Sequence, residues 1–380
     1  MKVFMITMDF PPIEGGISSI SFHLAENLTK KNTQITVLAP NFPGIESWDR
    51  ERKYPVIRFP GYRWGYGRFF PFSLTALKHT LKDNSSLVLG MNVAYGGTVG
   101  MLLHQWIKRP YAVVTYAYEF LKFSPLSWGN LLITQVLKQA SLILTISSYS
   151  RSALISQGIP DSKIHIFPLG VDTSLFFPSS PDPELVSNLG IEDKKVILSI
   201  GRLIERKGFD KLIMSMPYIL KKFPDAVLLI IGRGPEEERL IKLRDEMGLG
   251  EKVKFLGKIE HSSLPKFYNL CDVFVLPNRK GKKKGDVEGF GLVFIEANAC
   301  GKPVVGGNSG GTVDAIVEGE TGFLVNSLEE KEIASKVITL LKDEKLAREM
   351  GKKGRERVEK KFNWPYSSEI VKEALGKILV

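Results

Sequence analysis

Two glutamates in the second half of the chain, Glu288 and Glu296, flank the stretch Gly289-Phe-Gly-Leu-Val-Phe-Ile295. An ionised carboxylate only accepts hydrogen bonds, so a pair of them suits a ligand rich in hydroxyls. The glycines at 289 and 291 let backbone come close to a ligand, and the helix that follows would open at Phe290, Gly291, Leu292 and Val293. Its free N–H groups and positive dipole end suit an anion, so a phosphate fits there without a metal. Over eight residues a regular helix rises roughly 12 Å, about the reach of a sugar, a diphosphate and a ribose laid end to end. Glu288 would then face the sugar and Glu296 the ribose. The competing reading is a buried amphipathic helix with two incidental glutamates, since glutamate forms helices well. Against it, Glu296 lies inside the apolar run 292–297, where a carboxylate needs a partner.

Arg202 and Lys207 are the matching cations. They lie in Gly201-Arg-Leu-Ile-Glu-Arg-Lys-Gly208, between the strand-like run 195–201 and a helical pattern. At the carboxyl end of a strand they would clamp a diphosphate, Arg202 as a bidentate fork and Lys207 as a point charge. The turn at Gly232 would bring backbone near a nucleotide, as would the one that ends at Ile259. In the first half, Asp9-Phe-Pro-Pro-Ile-Glu-Gly-Gly16 turns an apolar run into a loop through Gly15 and Gly16, which is either a ligand turn or a purely structural one. Tyr118 and Glu119 follow the run 111–116, where a substrate would approach; tyrosines simply packed at a strand end remain an equal reading. No Asp-x-Asp pair or His/Cys cluster offers a metal site, so chemistry without metal or other cofactor is expected.

These motifs together resemble the family 4 retaining glycosyltransferases of the GT-B fold. The features that carry the likeness are Glu288 and Glu296 seven residues apart, the following Ala299-Cys-Gly-Lys-Pro-Val304, Gly-Arg-Leu with Lys-Gly after it, and Asp-Phe-Pro-Pro-x-x-Gly-Gly-Ile. The first loop and Gly285-Asp-Val-Glu-Gly-x-Gly most resemble the phosphatidylinositol mannoside mannosyltransferase branch. The resemblance implies an α/β protein of two doubly wound Rossmann-like domains facing a cleft. Residues 1–175 would form the acceptor-side domain, 176–362 the nucleotide-sugar-binding domain, and 363–380 a helix crossing back to the first domain. It further implies that Arg202 and Lys207 bind the donor diphosphate, that Glu288 is catalytic, that the backbone at Ile259 reads the base, and that the loop at Gly15 and Gly16 lies against diphosphate and acceptor. One departure stands out: the family's sugar-touching histidine is replaced, with Tyr116 and Tyr118 at the corresponding strand end. The activity implied is transfer of a hexose, mannose from GDP-mannose in the first instance, to a lipid-linked or glycan acceptor. Attack comes from the front face and the leaving phosphate takes the proton. A UDP-sugar-dependent transferase, a sugar-nucleotide epimerase of the same fold, and a non-catalytic sugar-nucleotide-binding subunit are the alternatives.

The elements that must hold these residues alternate. Apolar runs at 2–8, 34–39, 56–59, 87–90, 111–116, 142–147 and 163–167 predict strands in the first half, and 195–201, 226–231, 253–256, 272–276 and 303–305 in the second. With helical patterns between most of them, this is the mark of a parallel sheet covered on both faces. A chain of 380 residues suits two such domains, and the Pro- and Ser-rich segment 168–183 reads as their linker. Cys271 and Cys300 are too few for a disulfide framework. A signal peptide or membrane span is not expected, which implies a cytoplasmic protein. The net charge of +11 permits an anionic partner without naming one. The basic and aromatic stretch 48–72 suits either a peripheral contact with anionic lipid or packing on its own domain; nucleic acid is disfavoured, because no recognised module accompanies it. A second basic run, 279–284, reads as a solvated loop or as an attractor for an anion beside Glu288.

Overall fold

Apolar runs such as Val227–Ile231 and Val273–Leu276 are buried along their whole length. A strand with no polar alternate residue must be covered on both faces, which is the condition of a parallel sheet between helical layers. The computed structural model describes residues 1–61, 63–83, 87–116, 128–283 and 285–379. Among them, the strands form two sheets, of seven and six strands, and every pairing is parallel. The chain divides into two compact units, Met1–Gly170 with Trp364–Val380, and Val171–Asn363.

In the first unit the strands are β1 (Lys2–Ile6), β2 (Gln34–Pro40), β3 (Val56–Phe59), β4 (Leu87–Gly90), β5 (Tyr111–Thr115), β6 (Leu142–Thr145) and β7 (Ile164–Ile166). Their order is β3-β2-β1-β4-β5-β6-β7, so the chain winds outward from β1 and reverses between β1 and β4. Helix Trp364–Gly376 packs on helix Gly16–Lys30: the rings of His23 and Trp364 stack at 4.9 Å, Lys31 pairs with Glu369, and the Ser367 hydroxyl donates to the Pro168 carbonyl at 2.6 Å.

The stretch 48–72 is divided in its packing. Arg58 forks onto Asp49 at 2.6 and 3.0 Å, Arg52 lies 4.3 Å over the Trp48 ring, and Tyr54, Phe59 and Phe72 are buried. Trp64 and Phe70, by contrast, are 65% and 72% exposed, and Leu74 and Leu81 on the helix Phe69–Lys82 are also exposed.

In the second unit the strands are β8 (Val196–Ile200), β9 (Val227–Ile231), β10 (Val253–Phe255), β11 (Val273–Leu276), β12 (Val304–Gly307) and β13 (Gly322–Val325). The order β10-β9-β8-β11-β12-β13 reverses between β8 and β11. In open α/β sheets ligands bind outside the carboxyl ends of the strands at such a reversal. Arg202, Lys207 and Asn278 all follow directly from β8 or β11.

Candidate active site

The turn after β8 is what brings Lys207 to the reversal point. Glu205–Lys207 form one turn of 3-10 helix, and Gly208 ends it at φ 74. A Cβ on Gly208 would stand 2.0 Å from the Pro277 carbonyl oxygen at the end of β11, so both the backbone angle and the space demand glycine. Across the reversal, Asn278 is fully buried; its amide donates to the Thr312 hydroxyl at 2.7 Å, and its side-chain oxygen accepts from Gly307 N at 3.3 Å. That buried amide ties the end of β11 to the end of β12 and to the residue that opens the helix after it.

Lys207 Nζ donates to Glu288 Oε2 at 2.5 Å, with side-chain exposures of only 11% and 12%. Burial pushes the Glu288 carboxyl up, but the charge and hydrogen bond of Lys207, with Arg206 behind it, outweigh burial and hold it below the usual range. Glu288 is therefore a charged, preformed acceptor. Arg206 pairs with Asp286 at 2.9 Å, and Arg279 makes a two-point bridge to Asp210 at 2.9 Å on each arm. These bridges pin the run 279–286 at both ends, while Lys280, Lys282 and Lys283 stay exposed. Arg202 is exposed and forms no ion pair among the described residues.

Gly291, at φ 94, turns the chain into helix Leu292–Ala299, whose first N–H groups have no acceptor within the helix. A Cβ there would meet the Phe294 ring at 2.6 Å. Phe290 is buried against Phe362, and Leu292 and Val293 are half-buried. One turn further, Glu296 has the partners its apolar setting demands. The Tyr268 hydroxyl donates to Oε2 at 2.8 Å, and His261 Nε2 lies 3.2 Å from Oε1. The Glu296 charge raises the His261 pKa through this hydrogen bond, and burial together with the same charge raises that of Tyr268. Gly232 N donates to the Gly257 carbonyl at 2.7 Å, which joins the turns after β9 and β10; half-buried Ile259 follows.

Gly15 and Gly16 lie in the first unit, exposed at the start of helix Gly16–Lys30. Tyr118 and Glu119 lie outside the described residues. The second unit thus gathers Arg202, Lys207, Gly232, Ile259, Glu288, Phe290, Gly291, Leu292, Val293 and Glu296 around the carboxyl edge of one sheet. Sequence reasoning did not single out Arg206, Asn278, His261 or Tyr268, and weighed Asp286 only as a metal ligand with Glu288, too thin a pair to hold one. The two partners of Glu296 come from 35 and 28 residues away, and the only signal for them was the unmet need of a carboxylate in an apolar run. Cys271 and Cys300 are free and buried, and burial pushes both thiols up to about 12. Among the described residues no group of three His, Cys, Asp or Glu could hold a metal, and no helix is long and apolar enough to cross a membrane.

The model described as Glycosyltransferase Family 4 matches residues 14–175, and that described as Glycosyl transferases group 1 matches residues 182–357. The chain is 30% identical to the GDP-mannose-dependent alpha-(1-6)-phosphatidylinositol monomannoside mannosyltransferase of Mycolicibacterium smegmatis over 95% of each chain. It is 29% identical to the monoacylated-substrate counterpart of Corynebacterium glutamicum, covering 100% of this chain and 97% of that one. Sucrose-phosphate synthase from Thermosynechococcus elongatus shares the fold with a TM-score of 0.82 at 24% identity, over 99% of this chain and 98% of that one. Anabaena HepE, solved with UDP and glucose, does so with a TM-score of 0.80 at 22% identity, over 99% and 100%. Two doubly wound parallel units of this kind define the GT-B glycosyltransferases. The chain belongs to their family 4, on the branch of the phosphatidylinositol mannoside mannosyltransferases.

Proposed function

We propose that this glycosyltransferase moves a mannosyl residue from GDP-mannose to a lipid-linked acceptor, with retention at the anomeric carbon and without a metal ion. Full-length similarity to transferases named for GDP-mannose supports the donor and the acceptor class. The observation that carries the chemistry is the Lys207–Glu288 pair, on the same sheet edge as an exposed Arg202 that forms no ion pair among the described residues and an open helix end. In this reading Arg202, Lys207 and the N–H groups from Gly291 to Val293 meet the diphosphate, and Glu288 accepts from hydroxyls of the sugar. As the bond from C1 to the phosphate oxygen breaks, negative charge grows on the diphosphate, where fixed donors stabilise it most. The acceptor hydroxyl forms the new bond to C1 on the same face, and its proton passes to a leaving phosphate oxygen. No protein nucleophile takes part.

A panel of GDP- and UDP-sugars, each with and without a phosphatidylinositol mannoside acceptor, tests this by mass readout, with NMR for the anomeric configuration. Transfer of mannose from GDP-mannose with retention is expected. Turnover of UDP-glucose alone overturns the donor; conversion of a donor without acceptor identifies an epimerase; binding without any turnover identifies a non-catalytic subunit.

A peripheral contact with anionic lipid belongs to the same proposal. Its support is the exposed set Trp64, Phe70, Leu74 and Leu81 together with exposed Arg63. Co-sedimentation with phosphatidylglycerol-containing vesicles is expected to fall several-fold in a Trp64→Ser, Phe70→Ser variant. Equal binding of the variant would assign those side chains no part in membrane contact.

A further inference from the structure

Glu296 is held from two sides. The fully buried Tyr268 donates to Oε2 at 2.8 Å from within the unit. His261, whose side chain is 59% exposed, reaches Oε1 at 3.2 Å. An ionised carboxylate only accepts, so the His261 nitrogen at this contact carries the proton. The terminal torsion of a glutamate is intrinsically broad, and one donor on each oxygen is what fixes it. A carboxylate offers about four lone-pair directions, so about two remain once these donors are placed. The imidazole is itself held: its ring centroid lies 5.1 Å from that of Phe176, a fully buried side chain. His261 also opens the short turn His261–Ser263, two residues past Ile259, so the segment assigned to the base runs directly on to the partner of Glu296.

We infer that His261 is a positioning residue for the donor: it holds Oε1 of Glu296 so that the remaining lone pairs of the carboxylate meet the paired hydroxyls of the nucleotide ribose. This rests on the reading that Glu296 takes the ribose. Tyr268 anchors the carboxylate from inside, His261 sets its rotation from the solvent side, and the two together present a rigid acceptor for a vicinal diol. A role in packing alone would affect every ligand of the unit alike, whereas positioning acts only through the hydroxyls.

The test is calorimetric titration of GDP and UDP into the full chain, followed by the 2′,3′-dideoxy analogue of whichever binds more tightly. Wild type, His261→Ala, His261→Gln, Glu296→Gln and Glu296→Ala are compared at equal thermal stability. His261→Ala is expected to weaken the nucleoside diphosphate by roughly five- to tenfold, within the range of a typical net hydrogen-bond contribution. The dideoxy analogue should be unaffected, KM for the donor should rise, and kcat should stay within about twofold of wild type. His261→Gln restores a donor to Oε1 and is expected to recover most of the affinity. Equal weakening of both ligands, or of neither, in His261→Ala overturns the positioning role while leaving Glu296 in place. If both Glu296 variants still prefer the ribose form as strongly as wild type, it is the ribose reading that falls, and His261 falls with it. Binding of neither diphosphate overturns the donor site as a whole.

Discussion

At the residue scale the two cations beside Glu288 differ in a way that separates binding from folding. Lys207 is nearly buried and neutralises a nearly buried carboxylate, whereas Arg202 is exposed and forms no ion pair among the described residues. Arg202→Ala is therefore expected to lower kcat by about 10²–10³-fold, as for a lost transition-state donor, with unfolding free energy within about 0.5 kcal/mol of wild type. Lys207→Ala should lose comparable activity and, in addition, roughly 3 kcal/mol of stability, because it strands the Glu288 charge. Steady-state kinetics with urea melts on both variants check this. Equal stability of the two would mean that the Lys207–Glu288 pair does not support the fold. Residue types, spacing and neighbouring glycines, read together with the likeness to a known family, put forward Arg202, Lys207, Glu288 and Glu296 as candidates. The sequence could not display how they are neutralised, since Asp286 reaches Arg206, and Tyr268 and His261 reach Glu296, only once the chain is folded.

At the scale of elements, the strands were the most legible part of the chain. A buried parallel strand has to be a short apolar run closed by turn residues, so 56–59 and 87–90 match β3 and β4 end to end. Most other expected runs overshoot by a residue or two, as at 111–116 against Tyr111–Thr115, because apolar character continues past the last ladder hydrogen bond, while 34–39 and 303–305 stop short of Pro40 and Gly307 and no run was expected at β13. The short 3-10 turns were not legible, and one of them places Lys207. That turn depends on Gly208, so Gly208→Ala is expected to destabilise the protein by more than the roughly 1–2 kcal/mol of a left-handed backbone angle, since its Cβ also meets the Pro277 carbonyl. Donor affinity should fall with it as Lys207 is displaced. A urea melt and a nucleotide titration on this variant are the measurements; unchanged values in both would show that the turn tolerates a side chain. The Pro- and Ser-rich segment 168–183 reads as a linker in sequence, yet it contributes Phe176, a fully buried ring packed against Tyr268 and His261. Composition averages over a window and hides a single anchor of this kind.

At the scale of the whole molecule, two sheets reverse their strand order, each beside its own first strand, and in the second unit the reversal gathers the proposed diphosphate groups. Alternating apolar runs were enough to predict parallel sheets, and full-length similarity places the chain in its family. Neither could show which cations are already spent on bridges and which are still open, and that distinction sets where an anion can bind. The most direct measurement is a crystal structure of the full chain with GDP or UDP bound. The diphosphate is expected within hydrogen-bond distance of Arg202, Lys207 and the N–H groups at the start of helix Leu292–Ala299, with the ribose at Glu296. A diphosphate bound away from those groups would contradict it.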